Sequence, residues 1–280
     1  MMNPYPSPRR VVSSGGSTSG RVRKKYLRAN DLPFIEITSS TSLMPADLLA
    51  EAQTVDPTLT MSQVGIEIVA IGGGGAGGSG VDAWGGLPGL IATGECWLSD
   101  LDATQAVYID IGAGGVGVIA DWGRDGNFAS FFQSDANGKT TVSVSAAPGT
   151  GGTNDIDSQK YFWCYQTTIG LRAVDPTVYG QLANPYGPGL GAGSQDHSGA
   201  KNRGGAGNFS MPNGETPPGG SANPDDFLGV GGGGDGFSAG AGTSGGFPGG
   251  GGGASAPAYP GASGANSAVR YRYFVWEIVQ

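Results

Sequence analysis

The chain has 280 residues, 55 of them glycine, and a formal net charge of −8. That glycine content is near three times an ordinary usage of roughly 7%, and it comes with one histidine and two cysteines. A zinc site built from several Cys and His ligands is excluded, and with no run of about 18 apolar residues, so is a membrane-spanning helix.

Charge divides the chain unevenly. Residues 1–30 carry Arg9, Arg10, Arg21, Arg23, Lys24, Lys25 and Arg28 and no acid, leaving 8 basic and 23 acidic side chains for the rest. This predicts an extended basic arm on an acidic body, with those cations as candidates for docking onto a partner; the alternative is a solvated tail. The acidic body opposes nucleic-acid binding, and no folded nucleic-acid motif accompanies the arm. The opening Met-Met-Asn-Pro-Tyr-Pro has no apolar h-region of a secretory signal. Residues 31–63 read as a small attachment region. Within it, 31–38 (DLPFIEIT) predicts a short strand and 43–53 (LMPADLLAEAQ) the one helix. Pro45 suits its first turn, and Leu48, Leu49 and Ala52 form a short apolar stripe.

From residue 64 the character changes, and 52 of the 55 glycines lie in 65–280. Three β-runs are each followed at once by glycine: 64–71 (VGIEIVAI) by 72–78, 107–111 (VYIDI) by 112–117, and 140–145 (TTVSVS) by 146–152. Residues 227–230 precede a further run at 231–234, and 269–279 (VRYRYFVWEIV) predicts a long closing strand in near alternation. Strand-then-glycine is thus an imperfect internal repeat. Chains this rich in Gly are often disordered, but the embedded strands, 10 Tyr, 10 Phe and 5 Trp argue against that. A glycine run disfavours helix by about 1 kcal/mol per residue and offers a sheet no side chains to pack. An extended path of three residues per turn remains, whose outward N–H and C=O groups must be satisfied by neighbours. The expected fold is therefore mainly β and irregular: short strands, a bundle of polyglycine-II segments, and one short helix near the N-terminus. Loops near 154–186 and 208–224 interrupt the domain at 64–280.

No residue constellation points to catalysis. Gly112, Gly114 and Gly117 satisfy GxGxxG, yet glycine recurs too soon for the helix that dinucleotide binding needs. His197, the one histidine, sits in a polar loop without the supports of a nucleophilic triad. Asp100/Asp102, Asp155/Asp157 and Asp225/Asp226 read as turn-forming aspartates, with weak calcium binding at Asp155/Asp157 left open. Cys96 and Cys164 are compatible with one disulfide or with two buried thiols. No cofactor and no metal is expected. The aromatic loop residues Tyr161, Trp163, Tyr165, Tyr179 and Tyr186 are the candidates for recognition, since such rings offer an apolar face and a polar edge; packing on the body is the competing use.

The body resembles the glycine-rich domains of bacteriophage tail-fibre and tail-tip adhesins. The likeness rests on IEIVAIGGGGAGGSG (66–80), VYIDIGAGGVGV (107–118), GRDGNFASF (123–131), VSVSAAPGTGG (142–152), a glycine block at 229–264 and the last strand. The resemblance implies a non-enzymatic virion protein. Its loops would contact a host glycan or outer-membrane protein, and residues 1–60 would attach it to other virion proteins. A purely structural role at a tail tip, baseplate or capsid surface is the alternative. Neither nucleic acid nor membrane insertion is implied, and oligomeric state stays open, a homo-oligomer included.

Overall fold

The structure, a computed structural model, describes residues 21–81, 83–154, 201–202, 220–222, 225–237 and 239–279. The strands in chain order are β1 (Arg21–Tyr26), β2 (Ile35–Ile37), β3 (Thr41–Leu43), β4 (Gly65–Ile71), β5 (Ile91–Trp97), β6 (Val107–Ile111), β7 (Ala129–Ser134), β8 (Thr140–Ala146), β9 (Lys201–Asn202), β10 (Gly236–Phe237) and β11 (Ala268–Val279). The single α-helix among the described residues, α1, spans Pro45–Gln53. All pairings between these strands are antiparallel. One main sheet has the order β1-β11-β4-β5, with β2 also on β11; the other has the order β3-β6-β7-β8. The fold is thus a mixed one dominated by short antiparallel strands in two sheets.

Alternation in the sequence places the core. Ile66, Ile68, Ala70, Val269, Tyr271 and Tyr273 of the first sheet share one buried cluster with Val107, Ile109, Phe131, Val142 and Val144 of the second. Leu48 and Ala52 of α1 belong to the same cluster, so the segment 31–63 and the glycine-rich body have a common core. Pro45 occupies the first turn, and the Asp47 carboxylate accepts the Met44 N–H at 3.0 Å, satisfying a donor the helix cannot. α1 is tied to the sheet through Glu51, whose Oε2 accepts the hydroxyls of Tyr271 (3.1 Å) and Tyr273 (2.7 Å). Burial, reinforced by the Glu51 charge or by the neighbouring tyrosine, raises both phenol pKa values, so each hydroxyl stays a donor. Replacing Glu51 with Ala would strand both buried hydroxyls at a cost of about 2 kcal/mol. Urea denaturation should show that loss for Glu51→Ala and a smaller one for Glu51→Gln; an unchanged midpoint in both would mean the link carries no stability.

β5 and β7 lack a clean sequence signature. β5 (IATGECW) has Gly94 where the Val144 side chain from the facing sheet needs the room of a Cβ. β7 (ASFFQS) buries the polar Gln133, whose amide is consumed by the carbonyls of Asp102 (3.0 Å) and Gln105 (2.7 Å). Residues 21–26 read in sequence as part of an extended arm. In the structure they form β1, in register with β11 from Arg21↔Val279 to Tyr26↔Phe274, so 21–26 belong to the body's sheet rather than to an arm. Of the arm cations, Arg9 and Arg10 lie outside the described residues. Arg23 and Lys25 meet Glu277, Lys24 meets Glu95, and Arg28 donates to the Asp31 carbonyl at 3.3 Å.

The glycine runs leave the sheets in pairs. Residues 72–80 lead away from β4 and 84–90 return into β5; 112–117 lead away from β6 and 121–127 return into β7; 147–153 follow β8 and 261–267 return into β11. The first run is the centre of the array, with 71–79 buried throughout. Its N–H groups rotate through three neighbours. Gly72, Gly75 and Gly78 donate to Leu90, Leu87 and Trp84; Gly73, Ala76 and Ser79 to Asn127, Arg124 and Asp121; Gly74 and Gly77 to Ala265 and Ala262, all at 2.8–3.0 Å. Its carbonyls rotate through three others, accepting from Gly149 and Gly152, from Gly252 and Ser255, and from Gly115. Every buried backbone group so named is therefore satisfied between segments rather than within one. Such close approach leaves no room for side chains: a Cβ on Gly75 or Gly77 would overlap the carbonyl of Thr150 or Gly253.

Candidate functional site

The array carries the chain to an end remote from both sheets, where the outgoing and returning runs are joined. Ser79, fully buried, organises this end. Its hydroxyl donates to the Tyr259 carbonyl (2.7 Å) and accepts the Ala120 N–H (2.9 Å), tying the 118–121 turn to the 256–260 loop. An isolated bridge pairs Ile119 with Pro260. Ala120 lies at φ 51°, a left-handed conformation uncommon for a residue other than glycine. Trp122 Nε1 donates to Asn154 Oδ1 at 2.8 Å, so the indole links the 118–121 turn to the end of the run 147–153. Around these contacts Val81, Ile119, Trp122 and Tyr259 expose large apolar surface. The exposed pair Asp121–Arg124, 3.5 Å apart, adds charge of both signs beside them.

The aromatic residues singled out in the sequence, Tyr161, Trp163, Tyr165, Tyr179 and Tyr186, lie outside the described residues, as do His197, Asp155, Asp157 and Cys164. The flanks of their segment are described. Asn154 is hydrogen-bonded to Trp122, and on the far side β9 pairs with β10, whose Phe237 N–H donates to Ala254 beside Ser255. Both flanks thus belong to the remote end. Val81, Ile119, Trp122 and Tyr259 were not singled out as a site by the sequence reading. The signal that marks them is simple: each is a large apolar residue placed where one glycine run gives way to the next.

Elsewhere the residues weighed for chemistry have structural uses. The Asp102 side chain accepts the Thr104 hydroxyl (2.7 Å) and N–H (2.8 Å), which holds its carboxyl below the usual range. Asp226 Oδ1 accepts the Leu228 N–H at 3.1 Å in a turn. Gly112–Gly117 is followed by a turn rather than a helix. Cys96 is a free thiol, and burial together with the Asp100 carboxylate pushes it up to about 12, so it is protonated at neutral pH. Among the described residues no group of three or more His, Cys, Asp or Glu is arranged to hold a metal ion, and no helix is long and apolar enough to cross a membrane.

No curated protein matches the chain. A family model does: the glycine-rich domain, over residues 50–274. The match begins in the last turn of α1, takes in the glycine runs and the strands from β4 on, and ends within β11. With that span matched, the chain belongs to the glycine-rich domain family.

Proposed function

We propose that the protein is a bacteriophage virion component, a tail-fibre or tail-tip adhesin. In this reading the glycine array is a polyglycine-II bundle that carries a host-binding surface at its remote end. The three-residue rotation of hydrogen-bond partners along 72–80 supports the bundle, because a helix of three residues per turn without internal hydrogen bonds aims successive N–H groups in three directions. At about 3.1 Å per residue, nine residues reach roughly 28 Å, enough to hold the binding end clear of the sheets. Cross-linking of this kind would hold the 118–121 turn and the 256–260 loop in place, which lowers the ordering cost of binding.

The observation that carries the adhesin reading is the gathering of exposed Val81, Ile119, Trp122 and Tyr259 at the end where the segment 155–200 leaves and returns. Contiguous exposed apolar groups rimmed by charge mark interaction surfaces, and Trp and Tyr suit a glycan or an outer-membrane protein. The test is binding of fluorescently labelled full-length protein to a panel of bacterial strains. Trp122→Ala combined with Tyr259→Ala should reduce binding at least tenfold. Replacing 155–200 by a short Gly-Ser linker should abolish it. Binding untouched by both changes would overturn the assignment. A purely structural virion component anchored by its N-terminal arm is the second reading; it predicts incorporation into particles with no cell binding.

A further inference from the structure

We infer that the outer edge of β1 is a docking site for an extended acidic segment of another protein, added to the sheet as a further strand. β4 stops pairing with β11 at Gly65↔Phe274 and β2 at Ile35↔Tyr271. Among the described residues, 275–279 therefore pair with β1 alone, forming a two-stranded ribbon that continues past the sheet. A ribbon of two strands is marginal by itself, and its edges offer unpaired N–H and C=O groups to a further strand. The parity of the edge follows from one bond. Leu27 N–H donates to Tyr273 O at 2.9 Å, so odd-numbered residues face β11, and Val22, Lys24 and Tyr26 turn their backbone groups outward. Among the described residues no strand pairs with that edge.

Charge selects the occupant. β1 carries Arg21, Arg23, Lys24 and Lys25, whereas 275–279 carry the single acid Glu277. Arg23 and Lys25 share that one carboxylate, with their side chains 67% and 60% exposed, while Lys24 is engaged by Glu95. Val22 adds an exposed apolar side chain on the other face. A second copy docking through the same edge would set like cations across from each other, which is destabilising. Residues 1–20 hold Arg9 and Arg10 and no acid, so the chain's own N-terminal segment is no better matched. An acidic strand with alternating apolar residues satisfies the backbone, neutralises Arg23 and Lys25 and covers Val22. The inference stands apart from the binding end of the glycine array and does not depend on it.

The probe is a labelled eight-residue peptide alternating Glu with Val, titrated against the full chain by fluorescence anisotropy. Its controls are the Lys/Val counterpart and a Glu/Val peptide with a central proline. The acidic peptide should bind saturably and more weakly as salt is raised, and neither control should bind. Arg23→Glu with Lys25→Glu should weaken binding at least tenfold. Val22→Pro should do the same while sparing the ladder to β11, because it deletes only an outward N–H at an edge strand. Hydrogen exchange on the wild-type protein gives a readout independent of any variant: the amides of Val22, Lys24 and Tyr26 should slow on peptide addition, with those of Arg23 and Lys25 unchanged. Equal binding of the acidic and basic peptides, or no slowing at Val22, Lys24 and Tyr26, would overturn the proposal.

Discussion

Gly75→Ala should destabilise the protein by about 3 kcal/mol or more, at the upper end of what overpacking costs. The methyl would be driven into the carbonyl of Thr150 and the adjacent amide of Gly151. Neither can retreat freely. Gly75 itself is held by its N–H to Leu87 O (2.8 Å) and by its carbonyl to Gly252 N (2.9 Å), and Thr150 O accepts the Leu87 N–H (2.9 Å). Moving one segment therefore breaks bonds to several others, and each orphaned buried group adds its own penalty. A useful contrast is Gly138→Ala in the β7–β8 turn. There the backbone is left-handed at φ 79° but nothing lies near the new methyl, so the cost is conformational strain of roughly 1–2 kcal/mol. Thermal unfolding of the two variants checks the comparison. A wild-type midpoint for Gly75→Ala would show that the array is not close-packed around its central run.

Arg270→Ala should be nearly as damaging, at about 3 kcal/mol, because it removes a buried cation from a set of partners that have no substitute. Arg270 is 1% exposed in β11. Its Nε donates to Glu36 Oε1 (2.7 Å), and its Nη1 donates to the carbonyls of Asp226 (2.9 Å) and Gly229 (2.5 Å). The guanidinium also lies 5.3 Å from the centre of the Phe34 ring, which in turn packs on Phe227 at 5.6 Å. The side chain thus clamps the turn at 225–230, from which the run 231–234 starts, onto the sheet. The Glu36 carboxylate is partly exposed, so water absorbs some of the lost charge interaction; the stranded carbonyls dominate. At roughly 2–4 °C per kcal/mol for a domain of this size, the midpoint should fall by about 10 °C. Arg270→Lys should recover only part of that, since an ammonium cannot reproduce the planar fork. Full recovery by Lys would show that charge alone, not geometry, holds the turn.

Much of the fold was legible in the chain because it is written in neighbouring residues. The apolar β-runs VYIDI and IEIVAI, and Pro45 ahead of an apolar stripe, each predicted an element found near its expected bounds. The candidate binding end was less legible. The aromatics of 161–186 are conspicuous in sequence, while the contacts of Tyr259 with Ser79 and of Trp122 with Asn154 lie within no local window.

What the amino-acid sequence determined by itself is local: which stretches extend, which one coils, and that the glycine runs had to satisfy their backbone groups on one another. Tertiary structure alone decided the rest. β1 is a strand because β11 lies beside it, some 250 residues away in the chain. Gly94 fits within a strand because Val144 needs its space. Arg270, at a position that alternation would set beside solvent-facing residues, is buried because Glu36 and the carbonyls of Asp226 and Gly229 converge on it from sequence separations of 234, 44 and 41 residues. Alternation and capping act between neighbours, whereas the desolvation of a charge or the filling of a missing Cβ is compensated only by groups that folding brings from elsewhere.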